Sequence, residues 1–133
     1  MTTEFEGNAP ASDPDIRDFQ TQGGINLPND YLQFLKKTNG GSGFIGSNYI
    51  EMWPLDKLAQ YNRGYGADRY TPQLLMFGSN GGGEAFAFDR RTTDWPVVII
   101  PFTPLDIREA KIVSKSFGSF LQLLADRDLT EIL

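Results

Sequence analysis

Four carboxylate side chains are the residues of this sequence that could supply an acid and a base, as in glycosidases: Glu51, Asp56, Glu84 and Asp89. Nothing in the sequence places two of them in a shared cleft, and such residues are commonly solvated surface charges or turn caps. A bound cation has no better support, because the spaced Asp and Asn residues of a calcium loop are not found. A carboxylate-based hydrolase is therefore the weakest hypothesis.

The chain contains no cysteine and no histidine. Without cysteine there are no disulfides, thiolate metal sites or thiol nucleophiles. Without histidine, Ser-His-Asp catalysis and imidazole acid–base chemistry are excluded. The sequence therefore predicts a protein that is not an enzyme and that holds no metal and no cofactor.

Net charge and hydropathy predict which partners the chain can have. The formal net charge is −5 over 133 residues, so non-specific nucleic-acid binding through a basic surface is disfavoured. The charge favours attraction to a basic protein, or it serves solubility alone. The N-terminus lacks the features of a secretory signal, and the longest aliphatic run, Val97 to Ile100, is too short to span a membrane. We expect a cytoplasmic protein that does not bind membranes.

Two glycine-rich segments could be mistaken for phosphate-binding loops. Gly41, Gly43 and Gly46 have the spacing of a dinucleotide fingerprint, but they follow a predicted helix and precede a predicted strand, which reverses the required context. A mobile glycine loop is the prediction there. The segment from Gly78 to Gly83 is followed directly by Glu84, which would repel a phosphate. It is therefore predicted to be a hairpin turn, in which Gly82→Val should lower stability through strain at a positive φ.

The elements that position these residues follow from periodicity and capping. Two helices are predicted first, then mostly strands, and a last helix after Ser116. Hairpins and short connections favour an antiparallel sheet, so the predicted class is α+β, with N-terminal and C-terminal helices flanking the sheet. We expect residues 1–11 to be a flexible arm and residues 12–133 to form one domain. A strand is predicted over residues 107–114.

The segment from Tyr61 to Tyr70 shows no clear periodicity and is predicted to be a loop. Its tyrosines and arginines, among small residues, are typical of adaptable recognition surfaces, although the tyrosines could instead lie down on the core. Trp53 has the same two interpretations, core or partner face. The candidate partner-binding residues are Glu51, Trp53, Tyr61, Arg63, Tyr65, Arg69, Tyr70 and Glu84.

Four segments resemble the SUKH superfamily in its Smi/Knr branch. They are INLPNDYLQFLKKTNGG from Ile25, YIEMWPLDKL from Tyr49, LLMFGSNGGGEAFAFD from Leu74 and SFGSFLQLL from Ser116. Each motif is weak alone, but the four occur in the order and spacing of that superfamily. The family often has Asp where this chain has Asn80, and the first helix here is short.

The resemblance implies an α+β fold with a curved, mainly antiparallel sheet, and a function without catalysis. Bacterial members are mostly immunity proteins that bind toxin domains, often nucleases, whereas fungal members regulate cell-wall synthesis as interaction hubs. The leading hypothesis is an immunity protein, monomeric or weakly dimeric, that binds a cognate and basic toxin. The alternative is a regulatory scaffold that binds endogenous proteins.

Overall fold

The computed structural model describes residues 4–133. Within these residues the chain forms an antiparallel sheet of seven strands in sequential order, which is not closed. The strands are β1 (Glu6–Gly7), β2 (Gly41–Ile45), β3 (Asn48–Met52), β4 (Leu74–Ser79), β5 (Glu84–Asp89), β6 (Val97–Pro101) and β7 (Lys111–Ser114). The predicted α+β class is confirmed.

Among the described residues, six α-helices accompany the sheet. They are α1 (Asp13–Gly23), α2 (Asn29–Lys37), α3 (Leu55–Tyr65), α4 (Ala67–Tyr70), α5 (Phe117–Asp126) and α6 (Leu129–Ile132). Hydroxyl caps begin two of them, since Ser12 accepts a hydrogen bond from the Asp15 N–H and Ser116 accepts one from the Ser119 N–H. The helix that follows Ser116 begins where the sequence predicts it.

The core is an aromatic cluster between the sheet and helices α2 and α5. The ring of Phe77 on β4 lies 4.6 Å from Phe88, 5.8 Å from Tyr31 and 5.6 Å from Phe117, measured between centroids. Phe86 and Phe88 are fully buried, as the alternation of β5 predicts. Ala85 and Ala87, on the other face of β5, are also fully buried, so this central strand is covered on both faces.

The Tyr31 hydroxyl is buried within this cluster and has no hydrogen-bond partner among the described residues. Burial raises the pKa of this phenol, because the charged form is desolvated. Tyr31→Phe removes the unpaired hydroxyl and keeps the ring, so we expect the free energy of unfolding to rise by about 1 kcal/mol. Urea denaturation measures this, with Tyr49→Phe as the exposed control. A fall of that size for Tyr31→Phe would show that the hydroxyl is hydrogen-bonded after all.

The pairing between β3 and β4 is short, and helix α3 lies beside the rest of β4 in place of a strand. These strands pair only at Glu51 with Ser79 and at Met52 with Gly78. Beyond this point α3 lies beside β4, and the buried side chain of Asn62 replaces a strand neighbour. Its amide oxygen accepts from the Met76 N–H at 2.9 Å and its amide nitrogen donates to the Met76 carbonyl at 2.9 Å. One side chain thus satisfies both backbone groups of a buried strand residue.

Three sequence predictions about loops and strands are wrong. The segment around Gly41 is strand β2 and not a mobile loop, because all five of its residues pair with β3. Residues 61–70 are mainly helical, since Leu58 and Asn62 are buried four apart and Tyr61 and Tyr65 lie on a neighbouring face of α3. Residues 107–109 form a 3₁₀ turn, so that β7 begins only at Lys111.

Residues 4–11, predicted as part of a loose arm, lie first along the outer edge of β2 and then along the end of α2. The Glu4 N–H donates to the Phe44 carbonyl and the Asn8 N–H to the Gly40 carbonyl, both at 3.0 Å. The contact is close because Gly43 has a φ of 133° and a side chain there would collide with backbone of residue 4. Residues 1–3 of the predicted arm lie outside the described residues, and the domain boundary at residue 12 stays a prediction.

Candidate protein-binding groove

The solvent-facing side of β1, β2 and β3 carries a row of aligned side chains. Asn48, Ile50 and Met52 on β3 point to the core, so Tyr49 and Glu51 face outward. The strand register places Glu6 opposite Ser42, and Ser42 opposite Glu51. Residues directly opposite in an antiparallel sheet share one face, so two carboxylates flank a serine.

A cluster of aromatic rings, which we call the wall, lies at one end of this row. Trp53 follows β3, and its ring lies 5.1 Å from Tyr61 and 5.7 Å from Tyr65. Tyr65 also stacks on Phe102 at 4.2 Å. The two tyrosines are four residues apart on α3, which places them on the same side of the helix. Helix α3 therefore holds the wall against the sheet.

The row and the wall together line a depression of about 570 Å³. We call it the aromatic groove and define it by Glu6, Ser42, Tyr49, Glu51, Trp53, Tyr61 and Tyr65. At the end opposite the wall, Tyr49 packs edge-on against Phe44 across the β2–β3 hairpin, with centroids 5.6 Å apart. No lysine or arginine lines this groove among the described residues. It is thus a concave, aromatic surface of negative charge.

A second depression of about 450 Å³ adjoins the groove and shares Tyr65 with it. Phe102, Leu105 and the exposed Tyr70 also line it. Its carboxylate, Asp106, is already engaged, because hydrogen bonds from the Arg108 guanidinium lower the pKa of Asp106 to about 2. The second depression therefore offers apolar contacts more than a free charge.

The turn between β4 and β5 borders the aromatic groove. Its predicted hairpin is confirmed, with Asn80 accepting from the Gly82 and Glu84 N–H groups. The positive φ values fall on Gly81 and Gly83 and not on Gly82, so the strain expected for Gly82→Val is wrong in its location. A side chain at Gly81 would also press on the Tyr49 ring, at 2.9 Å.

We therefore expect Gly81→Ala to lower the free energy of unfolding by about 1–2 kcal/mol, since alanine is strained at a φ of 73° and meets the Tyr49 ring. Gly82→Ala is the matched control and should change the stability by less than about 0.5 kcal/mol. Thermal denaturation followed by circular dichroism compares the two. Equal losses would show that the turn does not have this geometry.

The structure brings four of the eight predicted partner residues into the aromatic groove and distributes the others elsewhere. The four are Glu51, Trp53, Tyr61 and Tyr65. Trp53 is only 6% exposed, so most of its ring is buried beneath the tyrosines and only its edge reaches the groove. This burial fits the core interpretation of Trp53, and its role in partner binding stays a prediction.

The other four predicted residues lie outside the groove. Tyr70 lines the second depression, with the Arg69 guanidinium 6.0 Å from its ring. Arg63 lines a separate cleft against α1. Glu84 is half-buried and accepts a hydrogen bond from the Asn80 amide at 3.0 Å. Glu84 therefore stabilises its own turn first.

Sequence reasoning missed Glu6, Tyr49, Phe44 and Phe102. Phe44 and Tyr49 had a usable signal, because they flank the two-residue turn Gly46-Ser47 at equal distance and so must pair across a hairpin. Glu6 and Phe102 had no such signal. Glu6 lies on strand β1 and Phe102 follows strand β6. Both segments are distant from α3 in the sequence, and only the tertiary fold places them beside it.

Among residues 4–133 no three acidic side chains converge where a metal ion could be held. No helix in that part of the chain is long and apolar enough to cross a membrane. Exposed aromatic rings of the kind that line this groove are enriched at protein–protein interfaces.

Comparison with known proteins identifies the family. The sequence pattern of the SMI1/KNR4 family (SUKH-1) matches residues 10–123, which is most of the chain. The chain belongs to the SMI1/KNR4 family. It is also similar to the uncharacterized protein YnaB of Bacillus subtilis (strain 168), with 38% identity over 58 residues. That match covers 44% of this chain and 38% of YnaB. The predicted resemblance to the superfamily is confirmed.

Proposed function

We propose that this protein is an immunity protein, which binds a cognate toxin domain and blocks it by occlusion. Membership of the SMI1/KNR4 family fits either an immunity-like role or a Smi1/Knr4-like role, and domains of this family are generally non-catalytic. The observation that carries the proposal is the aromatic groove. It combines a concave shape, exposed tyrosine rings and two carboxylates without an ion-pair partner among the described residues.

Charge supports a basic toxin, such as a nuclease, as the partner. The net charge of −5 biases encounter toward cationic surfaces, and the groove adds Glu6 and Glu51 at the contact itself. Complementary charge raises the association rate more than the affinity. Holding a lethal enzyme needs nanomolar affinity or better, roughly −12 kcal/mol. We further propose that the protein acts in the cytoplasm as a monomer or weak dimer.

Tyr65 is the expected anchor of the complex, because it is 49% exposed and lies between the groove and the second depression. Tyr65→Ala should weaken toxin binding by about 1–3 kcal/mol, as buried tyrosine anchors do at interfaces. Isothermal titration calorimetry with the toxin domain measures this. Lys115→Ala, an exposed change between β7 and α5, is the control and should bind normally. Unchanged affinity for Tyr65→Ala, with an unchanged melting curve, would remove Tyr65 from the interface.

Co-expression tests the proposed function itself. The toxin domain encoded beside this chain's gene is expressed in cells with and without the protein. Protection of the cells, together with a complex on a sizing column, is the expected result. Toxicity that persists, without a complex, contradicts the proposal. Recovery of endogenous proteins by pulldown, with no toxin gene nearby, would instead favour the regulatory scaffold.

A further inference from the structure

We infer that the aromatic groove takes the side chain of an arginine from the partner, held between Glu6 and Glu51 and stacked on tyrosine rings. The inference deepens the proposed function and rests on it for the identity of the partner. It adds the chemistry that the groove recognises, which is a planar cation on an extended side chain.

The strand register sets the distance between the two carboxylates. Glu6 and Glu51 lie on β1 and β3, with Ser42 of β2 directly between them. Neighbouring strands are about 4.8 Å apart, so the two backbone positions are about 10 Å apart. Ser42 is small and exposed, and it leaves the space between the two acidic side chains open. A guanidinium placed over Ser42 can present one edge to each carboxylate.

Aromatic rings enclose the same space from two sides. Tyr49 lies beside Glu51 on β3 and closes one end with Phe44. Tyr61 and Tyr65 close the other end over Trp53. A cation within about 6 Å of such a ring is attracted by its π electrons. The groove therefore places aromatic rings at both ends of the space between the two carboxylates.

The negative charge of the groove is not neutralised by the chain itself. Among the described residues, the ion pairs join Asp13 to Lys36, Asp89 to Arg91 and Asp106 to Arg108. Glu6 and Glu51 take part in none of these, and no cationic side chain lines the groove. Glu6 and Glu51 are thus available to pair with a cationic group of a partner.

The geometry favours arginine over lysine. A guanidinium is planar, stacks on aromatic rings and carries five N–H donors along its edges, so it can bond two opposed carboxylates at once. An ammonium group is a compact point charge and is more strongly hydrated. It would bind one carboxylate and leave the other unpaired.

The test uses short peptides as probes of the whole 133-residue chain. The peptide is acetyl-Gly-Gly-Arg-Gly-Gly-amide, and the comparison peptides carry citrulline or lysine in place of arginine. Binding to the ¹⁵N-labelled protein is followed by NMR, which also verifies that each variant is folded. The amide signals of Ser42, Tyr49 and Glu51 should shift, with the citrulline peptide binding about fivefold more weakly or worse.

Charge-matched variants locate the site. Glu51→Gln and Glu6→Gln should each weaken the arginine peptide about fivefold. Glu109→Gln removes the same charge from an exposed position outside the groove and should leave binding unchanged. Equal binding of the citrulline or lysine peptide, or equal effects of Glu51→Gln and Glu109→Gln, would overturn the inference. Such a result leaves the co-expression test standing, whereas failed protection with intact peptide binding would refute only the toxin as partner.

Discussion

Phe77→Ala is expected to lower the free energy of unfolding by about 4 kcal/mol, because truncation of a buried phenylalanine leaves a cavity that the surroundings fill only in part. Phe77 is fully buried, and four aromatic rings surround it, those of Tyr31, Phe88, Phe117 and Phe120. It joins helices α2 and α5 to the sheet. The melting temperature should fall by about 10–15 °C for a chain of this size.

Phe44→Ala is the matched control for this change. Phe44 is 42% exposed and contacts only the rim of the groove, so the same truncation should cost less than about 1 kcal/mol. Guanidinium denaturation of both variants gives the two free energies. Losses of similar size would contradict the assignment of Phe77 to the centre of the core.

Asn48→Ala should lower the free energy of unfolding by about 3 kcal/mol, although it removes only one polar side chain. The Asn48 amide nitrogen donates to the carbonyls of Leu124 and Arg127, at 2.8 and 2.7 Å. Its amide oxygen accepts from the Leu129 N–H at 2.9 Å. From its position on strand β3, Asn48 thus provides hydrogen-bond partners for backbone groups at the end of α5 and at the start of α6. Alanine would leave those backbone groups without partners in a site that is only 7% exposed.

Asn26→Ala provides the comparison, since Asn26 is an exposed asparagine between α1 and α2. It should change the stability by less than about 0.5 kcal/mol. Hydrogen exchange adds a local measurement, because Asn48→Ala should raise the exchange rates of α6 before those of the rest of the chain. Normal stability of Asn48→Ala would show that the C-terminal helices dock by apolar contacts alone.

The sequence predicts the parts of this fold whose signals are local. Ser12 and Ser116 begin helices because a hydroxyl before an apolar period is a strong cap signal. The β4–β5 hairpin follows from alternation around three glycines. The sequence did not predict strand β2, because Gly41 and Gly43 have low strand propensity. Glycine is needed at both positions because residues 4–7 pack too close for a side chain. That cause lies 35 residues away in the chain.

The site was predictable to a smaller extent. Composition identified the tyrosines as candidates. The helix that aligns Tyr61 with Tyr65 was not predicted, because Gly64 and Gly66 are unfavourable in helices. Glu51 was predicted only as a carboxylate and a candidate partner-binding residue, whereas its position in the site follows from the register with Ser42 and Glu6. Such a register depends on pairing between distant segments, and the pattern of a single segment does not contain it.

The central claim is that the protein binds its partner through the aromatic groove. The most direct measurement is hydrogen exchange of the protein alone and in complex with the toxin encoded beside its gene. We predict slower exchange in β1 to β3 and in the C-terminal half of α3, with no change in α2 or α5. Slower exchange confined to α2 and α5, with β2 and β3 unchanged, would contradict the account.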